Sequence, residues 1–347
     1  MATGIVGVDI GSTTIRAVEV LDATSAKPSV ARYHEVQLPE GAAASGEVIE
    51  LNTVASALRT LWSEGGFKSR DVVLGMGNQR VLARDLTMPK MSISQIREAL
   101  PFQVQDLLLV PVADAILDFY PVSEGVSENG PVVNGLLVAA VKQAVLANVK
   151  AVELAGLNPA GVDLIPFSLA RVHLRGGNAK GTTALIDVGS TTTSVIIATN
   201  GIPQFVRIIP AGGNDITRAL ATRLEVTQNQ AEQIKRGLGL SAAGVAPEHR
   251  VALEAIFESA NQLLTSLRNT LSYFVNARQQ EGIGRIVLSG GGSRLRGFDA
   301  ALGEITKLHV TTARGFGEIN VNKSAVKSNI QDESMSVALG LALGSRV

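Results

Sequence analysis

The six residues Asp9-Ile-Gly-Ser-Thr-Thr14 return in the second half of the chain as Asp187-Val-Gly-Ser-Thr-Thr192, with a single Ile-to-Val change. Their types suit a nucleoside triphosphate. Gly11 and Gly189 let the backbone turn sharply and approach an anion, while Ser12, Thr13 and Thr14, like Ser190, Thr191 and Thr192, offer hydroxyls and main-chain N–H groups to phosphate oxygens. Asp9 and Asp187 would be repelled by phosphate itself. Their chemistry is to hold a divalent cation through its water shell, because magnesium keeps several waters and takes one or two carboxylates besides the phosphates. One copy alone reads equally as an ordinary hairpin turn, but a six-residue match made twice points to one turn serving one purpose twice.

Three further segments carry candidate groups. Ala211-Gly212-Gly213-Asn214-Asp215-Ile216-Thr217 follows a strand and opens a helix, so Gly212 and Gly213 place N–H groups at a helix start, where anions are favoured. A plain loop-to-helix junction has the same composition. Glu232 and Lys235 lie three apart on one helical face, which by residue type alone is a surface ion pair. Late in the chain a short apolar strand enters Ser289-Gly290-Gly291-Gly292-Ser293, and three glycines in a row suggest that something flat or bulky approaches the backbone, with a flexible loop as the alternative. There is no Walker-type Gly-Lys-Ser/Thr loop and no complete Gly-x-Gly-x-x-Gly, which argues against the two commonest nucleotide folds.

Elements must hold these turns in place, and the pattern supplies them. Each Asp-x-Gly turn stands between two apolar β-rich runs, Ile5–Val8 and Ile15–Val20 for the first, Ala184–Ile186 and Thr193–Ile197 for the second. Val30 to Leu38 and Val72 to Met76 read as further strands, and Val48, Leu51, Val54, Leu58 and Leu61 give Glu47 to Glu64 helical spacing before Gly65-Gly66. Between the two turns lies a strand from Arg80 to Leu86, a helix from Ser94 that Pro101 is expected to kink or split, strands at Val112 to Val122 and Asn134 to Val141 around a polar loop Ser123 to Pro131, and a helix from Lys142 to Ala155. That run is a small module of its own.

Composition bounds the rest. A chain of 347 residues exceeds the size at which one core keeps growing, so two lobes are expected. Apolar residues make up 46% and charged residues 18%, which excludes disorder over most of the length, and 31 basic against 31 acidic residues leave no electrostatic footprint for nucleic acid. Zero cysteines exclude disulfides and thiol chemistry, and the four histidines make no metal-ligand spacing. Met1-Ala2-Thr3-Gly4 leads straight into a strand without a secretory signal, and no run reaches membrane-spanning length, so a cytoplasmic location is expected.

The order of two Asp-x-Gly-Ser-Thr-Thr hairpins, a Gly-Gly-x-Asp-Ile-Thr helix start, an Ala-Glu-x-x-Lys helix and a late Ser-Gly-Gly-Gly turn resembles the actin, sugar-kinase and heat-shock-chaperone superfamily over nearly the entire chain. The resemblance implies an α/β, two-lobed actin-like (ribonuclease H-like) fold that closes on ATP and magnesium. It implies that the two hairpins, with Gly212 and Gly213, face phosphates, that Asp9 and Asp187 face magnesium, and that Glu232, Lys235, Gly290, Gly291, Gly292 and Ser293 hold adenosine.

The position of the inserted module, with Val110-Pro111-Val112, Ala115-Ile116-Leu117-Asp118-Phe119 and the connector Ala155-Gly156-Leu157-Asn158-Pro159-Ala160-Gly161-Val162-Asp163, is similar to the FtsA family and, more closely, to the PilM family of type IV pilus assembly proteins. The implied division is 1–79 for the first part of subdomain 1A, 80–155 for an SHS2-like α+β module, 156–180 for the return to 1A, 181–330 for the second lobe and 331–347 for a final 1A helix. The end Ala338 to Val347 reads as a packed helix without the basic amphipathic anchor of FtsA. PilM-type proteins reach the inner face of the cytoplasmic membrane through a partner, the cytoplasmic tail of a PilN-type bitopic protein, held in a groove between the first subdomain and the module. Any ATP hydrolysis is expected to be slow, with Asp163 as the candidate for positioning water. A division-type membrane filament is the alternative; a small-molecule kinase would need a substrate loop that the sequence does not display.

Overall fold

The computed structural model describes residues 4–25, 27–108, 110–240, 247–278, 282–316, 319–322, 325 and 332–344. The starting Met1-Ala2-Thr3 and the final Ser345-Arg346-Val347 invoked above lie outside them. The chain opens with β1 (Gly4–Ile10), β2 (Thr14–Leu21) and β3 (Ser29–Gln37), the short pair β4 (Ala43–Ala44) and β5 (Glu47–Val48), α1 (Leu51–Gly65) and β6 (Asp71–Met76). There follow β7 (Val81–Pro89), α2 (Ile93–Gln103), β8 (Ala115–Ser127), β9 (Gly130–Val141), α3 (Lys142–Leu154), β10 (Asn158–Leu164) and α4 (Ile165–His173). The second half holds β11 (Thr182–Val188), β12 (Thr193–Thr199), β13 (Ile202–Ile209), α5 (Gly213–Leu224), α6 (Gln228–Leu238), α7 (Arg250–Ala277), β14 (Arg285–Ser289), α8 (Phe298–Thr306) and β15 (Val310–Thr312), and the chain returns with β16 (Asn320–Val321) and α9 (Ser336–Gly344).

Two large sheets form the lobes. The first has the order β10-β6-β1-β2-β3-β16 and the second β13-β12-β11-β14-β15, each built around three consecutive antiparallel strands that a parallel strand, β6 or β14, joins at the first strand of the hairpin. Alternation along β1 explains its burial on both faces: Val6, Val8 and Ile10 join α1 and α3, while Ile5 belongs to the core under α9. On the second sheet one face is covered by α5, α7 and α8, and the other by α4 together with the inserted module. The contacts of α9 with β1 require glycine. A Cβ on Gly7 would sit 1.9 Å from the Ala338 carbonyl oxygen, and one on Gly340 would sit 2.0 Å from that of Ser168, so α9 rests directly on strand and helix backbone.

The module is a three-stranded sheet, β7-β9-β8, with α2 packed on one face through Ile96, Leu100, Met88, Phe119, Val133 and Leu137. Its other face turns Leu136 toward the junction of the lobes. Several expectations are corrected here. The segment read as the polar loop 123–131 is mostly strand, because β8 and β9 run on as an exposed hairpin that lacks the one-sided alternation by which strands are recognised. Pro101 does not split α2; it lies in the last turn, which closes with the Val104 N–H on the Leu100 carbonyl. Glu47 and Val48 form β5 instead of a first helical turn, since the Val48 N–H is taken by the Asn148 side chain. The helix at Lys142 packs Ala151 and Val152 into the first-lobe core and Ala144 and Val145 into the core that holds Val81 and Leu136 of the module, so it bridges the two. In addition, β16 pairs with β3, and Phe316 and Ile319 pack in the first-lobe core.

Candidate nucleotide site between the lobes

The repeated hexapeptide folds into the same turn twice. Asp9 pairs with Arg16 and Ile10 with Ile15; Asp187 pairs with Ser194 and Val188 with Thr193. In each turn the glycine N–H bonds the carbonyl at the second threonine, Gly11 to Thr14 and Gly189 to Thr192, both at 2.9 Å. A Cβ on either glycine would stand 2.9 Å from that same carbonyl oxygen, which is why glycine is needed in both copies. The hairpins come from different sheets yet meet: Ser12 Oγ lies 3.5 Å from Thr191 Oγ1. Thr13 and Ser190 are exposed at the tips, Thr192 is half-buried, and Thr14 is buried as the first residue of β2.

Asp9 and Asp187 stand behind the turns. Burial pushes both carboxyls above their usual range; Arg16 opposes this at Asp9 and the Ser289 hydroxyl, donating at 2.6 Å, opposes it at Asp187. The charge on Asp9 raises Asp187 further, so the two are near enough to repel. Two facing, partly desolvated carboxylates with hydroxyls in front of them fit a hydrated magnesium bridged to phosphate. Among the described residues no group of three or more His, Asp or Glu could hold a metal, so a cage of protein ligands is not what this site offers.

Arg16 lies outside the repeated motif yet stands beside the candidate site. Its Nη1 is 3.7 Å from Asp9 Oδ2 and its Nε bonds Glu35 Oε2 at 3.0 Å, which fixes a guanidinium beside the first turn. The available signal was a charge, one of two with Glu19, inside an otherwise apolar strand.

The later motifs converge on the second hairpin, for reasons partly different from those expected. The N–H of Gly212 donates to Asp215 Oδ2 at 2.7 Å and that of Gly213 to the Gly189 carbonyl at 2.9 Å. Both donors are thus engaged inside the protein. These glycines are required by space, since a Cβ on Gly212 would be 2.6 Å from the Gly189 carbonyl oxygen. In the glycine triplet, Gly290 and Gly292 cross the backbone of Val188 and Gly189 at distances that admit no side chain, while Gly291 faces open space and Ser293 Oγ donates back to the Gly290 carbonyl.

Glu232 and Lys235 are more than a surface pair. Lys235 Nζ donates to the Gly213 carbonyl at 2.9 Å and to Thr217 Oγ1 at 2.8 Å, and Thr217 Oγ1 donates to Glu232 Oε2 at 2.7 Å. Burial works against the charge on Glu232, but hydrogen bonds from Lys235, Thr217 and Arg236 outweigh it and hold the carboxyl at about 2. The network pins α6 to the start of α5, beside Gly292. Asp163 is not drawn into this cluster by any of its contacts: one oxygen accepts the Leu164 N–H at 2.7 Å and the other is ion-paired with Arg171, which also holds the Gly340 carbonyl. Its carboxylate joins β10 to α4 and α9.

A second concavity lies on the far side of α3. A cavity of about 530 Å³ is lined by Ala113 and Asp114 before β8 and by Lys142, Gln143, Leu146 and Ala147 on α3, with Leu146 half exposed.

Two sheets built around matching hairpins, helices between them and turns that meet at the cleft define an actin-like protein with a candidate nucleotide cleft. MreB5 of Spiroplasma citri, solved bound to ADP, has the same fold at a TM-score of 0.52 and 13% identity, covering 97% of this chain and 94% of that one. The family described as type IV pilus assembly protein PilM matches residues 7–346, and the chain belongs to that family. A solved PilM-PilN type IV pilus biogenesis complex is similar at a TM-score of 0.83 and 26% identity, over 99% of this chain and 98% of that one. The cell division protein FtsA of Bacillus subtilis is 22% identical over 269 residues, 70% of this chain, and the match spans about 60% of that protein's length. No helix among the described residues is long and apolar enough to cross a membrane.

Proposed function

We propose that this chain is an ATP-binding scaffold of type IV pilus assembly that holds the cytoplasmic tail of a PilN-type membrane protein and does so according to its nucleotide state. The observation that carries the reading is the full-length likeness to a PilM chain solved with PilN, joined to the twice-made turn at the cleft. In this reading the hydroxyls and turn N–H groups of Ser12, Thr13, Ser190, Thr191 and Thr192 take phosphate oxygens, and Arg16 adds charge. Asp9 and Asp187 hold hydrated magnesium, which when bound supplies the positive charge that lets phosphates sit before two carboxylates. Glu232, Lys235 and Gly291 border the nucleoside. Gly212, Gly213, Gly290 and Gly292 act by letting the elements around the second hairpin pack closely. The 530 Å³ cavity between the module and α3 is the place for the tail, reached at the inner face of the membrane.

The test is binding of a fluorescent peptide from the N-terminus of the PilN-type protein of the same organism, with ATP, with ADP and without nucleotide, against a control peptide of the same composition in scrambled order. Selective binding whose affinity depends on the nucleotide is expected; equal weak binding of both peptides would sink the reading. The matches to FtsA favour a second reading, a division-type filament, which predicts polymers on lipid with ATP and no selectivity for the pilus peptide.

A further inference from the structure

Between the two concavities runs one continuous set of contacts that neither motif accounts for. Ser45 sits in the short β4–β5 connection with a left-handed backbone, φ 51°. Its N–H donates to Ser12 Oγ of the first hairpin at 3.0 Å, and its hydroxyl donates to Thr191 Oγ1 of the second at 3.2 Å. One residue of the first lobe therefore touches both turns. The next residue, Gly46, gives its carbonyl to Asn148 Nδ2 at 2.8 Å, and Asn148 Oδ1 accepts the Val48 N–H at 2.9 Å. Asn148 is only 1% exposed and lies on α3, one residue beyond Ala147 of the cavity wall. Glu47 in the same connection is ion-paired with Arg80, at 3.0 Å, where the chain enters the module.

We propose that Ser45 distinguishes a nucleoside triphosphate from a diphosphate, and that the Gly46–Asn148 link passes the difference to α3 and the cavity it walls. The inference rests on the nucleotide reading given above. The chemistry is an exchange of partners. The donors of Ser45 cover the hydroxyls that would meet a terminal phosphate, so a phosphate received between the turns competes for the Ser45 N–H and Oγ, and a diphosphate that leaves that position untouched does not. Displacing Ser45 moves Gly46 and Val48, whose backbone groups are both bonded to one buried amide. A buried Asn left with half its partners costs too much for the connection and α3 to move independently. The physical warrant is this hydrogen-bonded contiguity, which biases one helix from the cleft.

The experiment is hydrogen exchange on the full chain with saturating Mg-ATP, Mg-ADP or neither, in the wild type, Ser45→Ala, Ser45→Gly and Asn148→Ala. Thermal shifts measured in parallel report nucleotide binding. In the wild type, exchange in 43–48 and 142–148 is expected to differ between ATP and ADP. Ser45→Ala and Ser45→Gly should both narrow the ATP-over-ADP preference, by about threefold or more; because glycine relieves the positive φ, a recovery in Ser45→Gly would mean that backbone strain and not the hydroxyl matters, against the proposal. Asn148→Ala should still bind nucleotide and respond at 43–48 but lose the response at 142–148. If Asn148→Ala proves too unstable, Glu47→Gln and the two Ser45 variants carry the test, with the Ser45 variants expected to silence α3 and Glu47→Gln to leave it responsive. A wild type that shifts with both nucleotides but shows no difference on α3 overturns this proposal alone. A wild type that shifts with neither overturns the nucleotide reading as well.

Discussion

His173 is buried on α4 with its Nε2 lacking a hydrogen-bond partner, and burial pushes its pKa down to about 4. The folded protein therefore holds it neutral, whereas the unfolded chain protonates it near 6.5. The stability it contributes is complete above pH 6.5 and is lost as the pH falls from there to about 4, a span worth about 3 kcal/mol. Glu232, also held below its unfolded value, acts in the same direction at lower pH, with stability present above about 4.5 and lost toward about 2. Urea unfolding at pH 7.5 and 4.5 should show the wild type losing midpoint on acidification and His173→Leu losing much less. An identical loss in the two proteins would remove His173 as the cause. At this scale Asp9, Asp187 and the hydroxyls were legible in the sequence as candidates, because residue type and repetition name their chemistry. The sequence did not identify Ser45 or Arg16, whose roles depend on what stands opposite them.

Among the elements, the contact most sensitive to a single atom is α9 on β1. The Gly7→Ala methyl would lie 1.9 Å from the Ala338 carbonyl oxygen, with the Ala342 N at 2.7 Å, and neither is the end of a flexible side chain. The helix must lift or the strand must bend, and the expected loss is about 1–3 kcal/mol or more. Gly161→Ala, with nothing within 4 Å of its Cβ, is the control and should change the melting temperature little. Equal melting temperatures for the two variants would show that α9 does not rest on Gly7. Strands and helices with one buried face were legible from their alternation. The ends of β8 and β9 were not, because both faces there meet solvent.

For the whole molecule, the decisive property is that the lobes meet through their two turns. A ligand that binds the folded protein alone stabilises it by about 2.7 kcal/mol at 100 times its Kd, which in a chain of this size is a rise of a few degrees. Mg-ATP should produce that shift. Asp9→Asn and Asp187→Asn separate a binding role from a structural one. Burial already disfavours the charge on both carboxyls, so each variant should melt no lower than the wild type without nucleotide, yet lose about tenfold or more in affinity for Mg-ATP. Variants that bind Mg-ATP as tightly as the wild type would take the carboxylates out of the site.

The sequence by itself determined the duplicated turn, the two-lobed actin-like class and the presence of an inserted module, because these rest on local rules: glycine where the turn tightens, period-two alternation in strands and a motif order that spans the chain. Only the tertiary structure decided that the Gly212 and Gly213 N–H groups are spent inside the protein, that Glu232 and Lys235 form a network with Thr217 instead of a surface pair, and that Asp163 is bound by Arg171. It also decided that the helix at Lys142 packs with the first lobe while walling a cavity shared with the module. A side chain's type states which bonds it can make, but which partner it meets depends on residues far away in the chain, and those are set by packing.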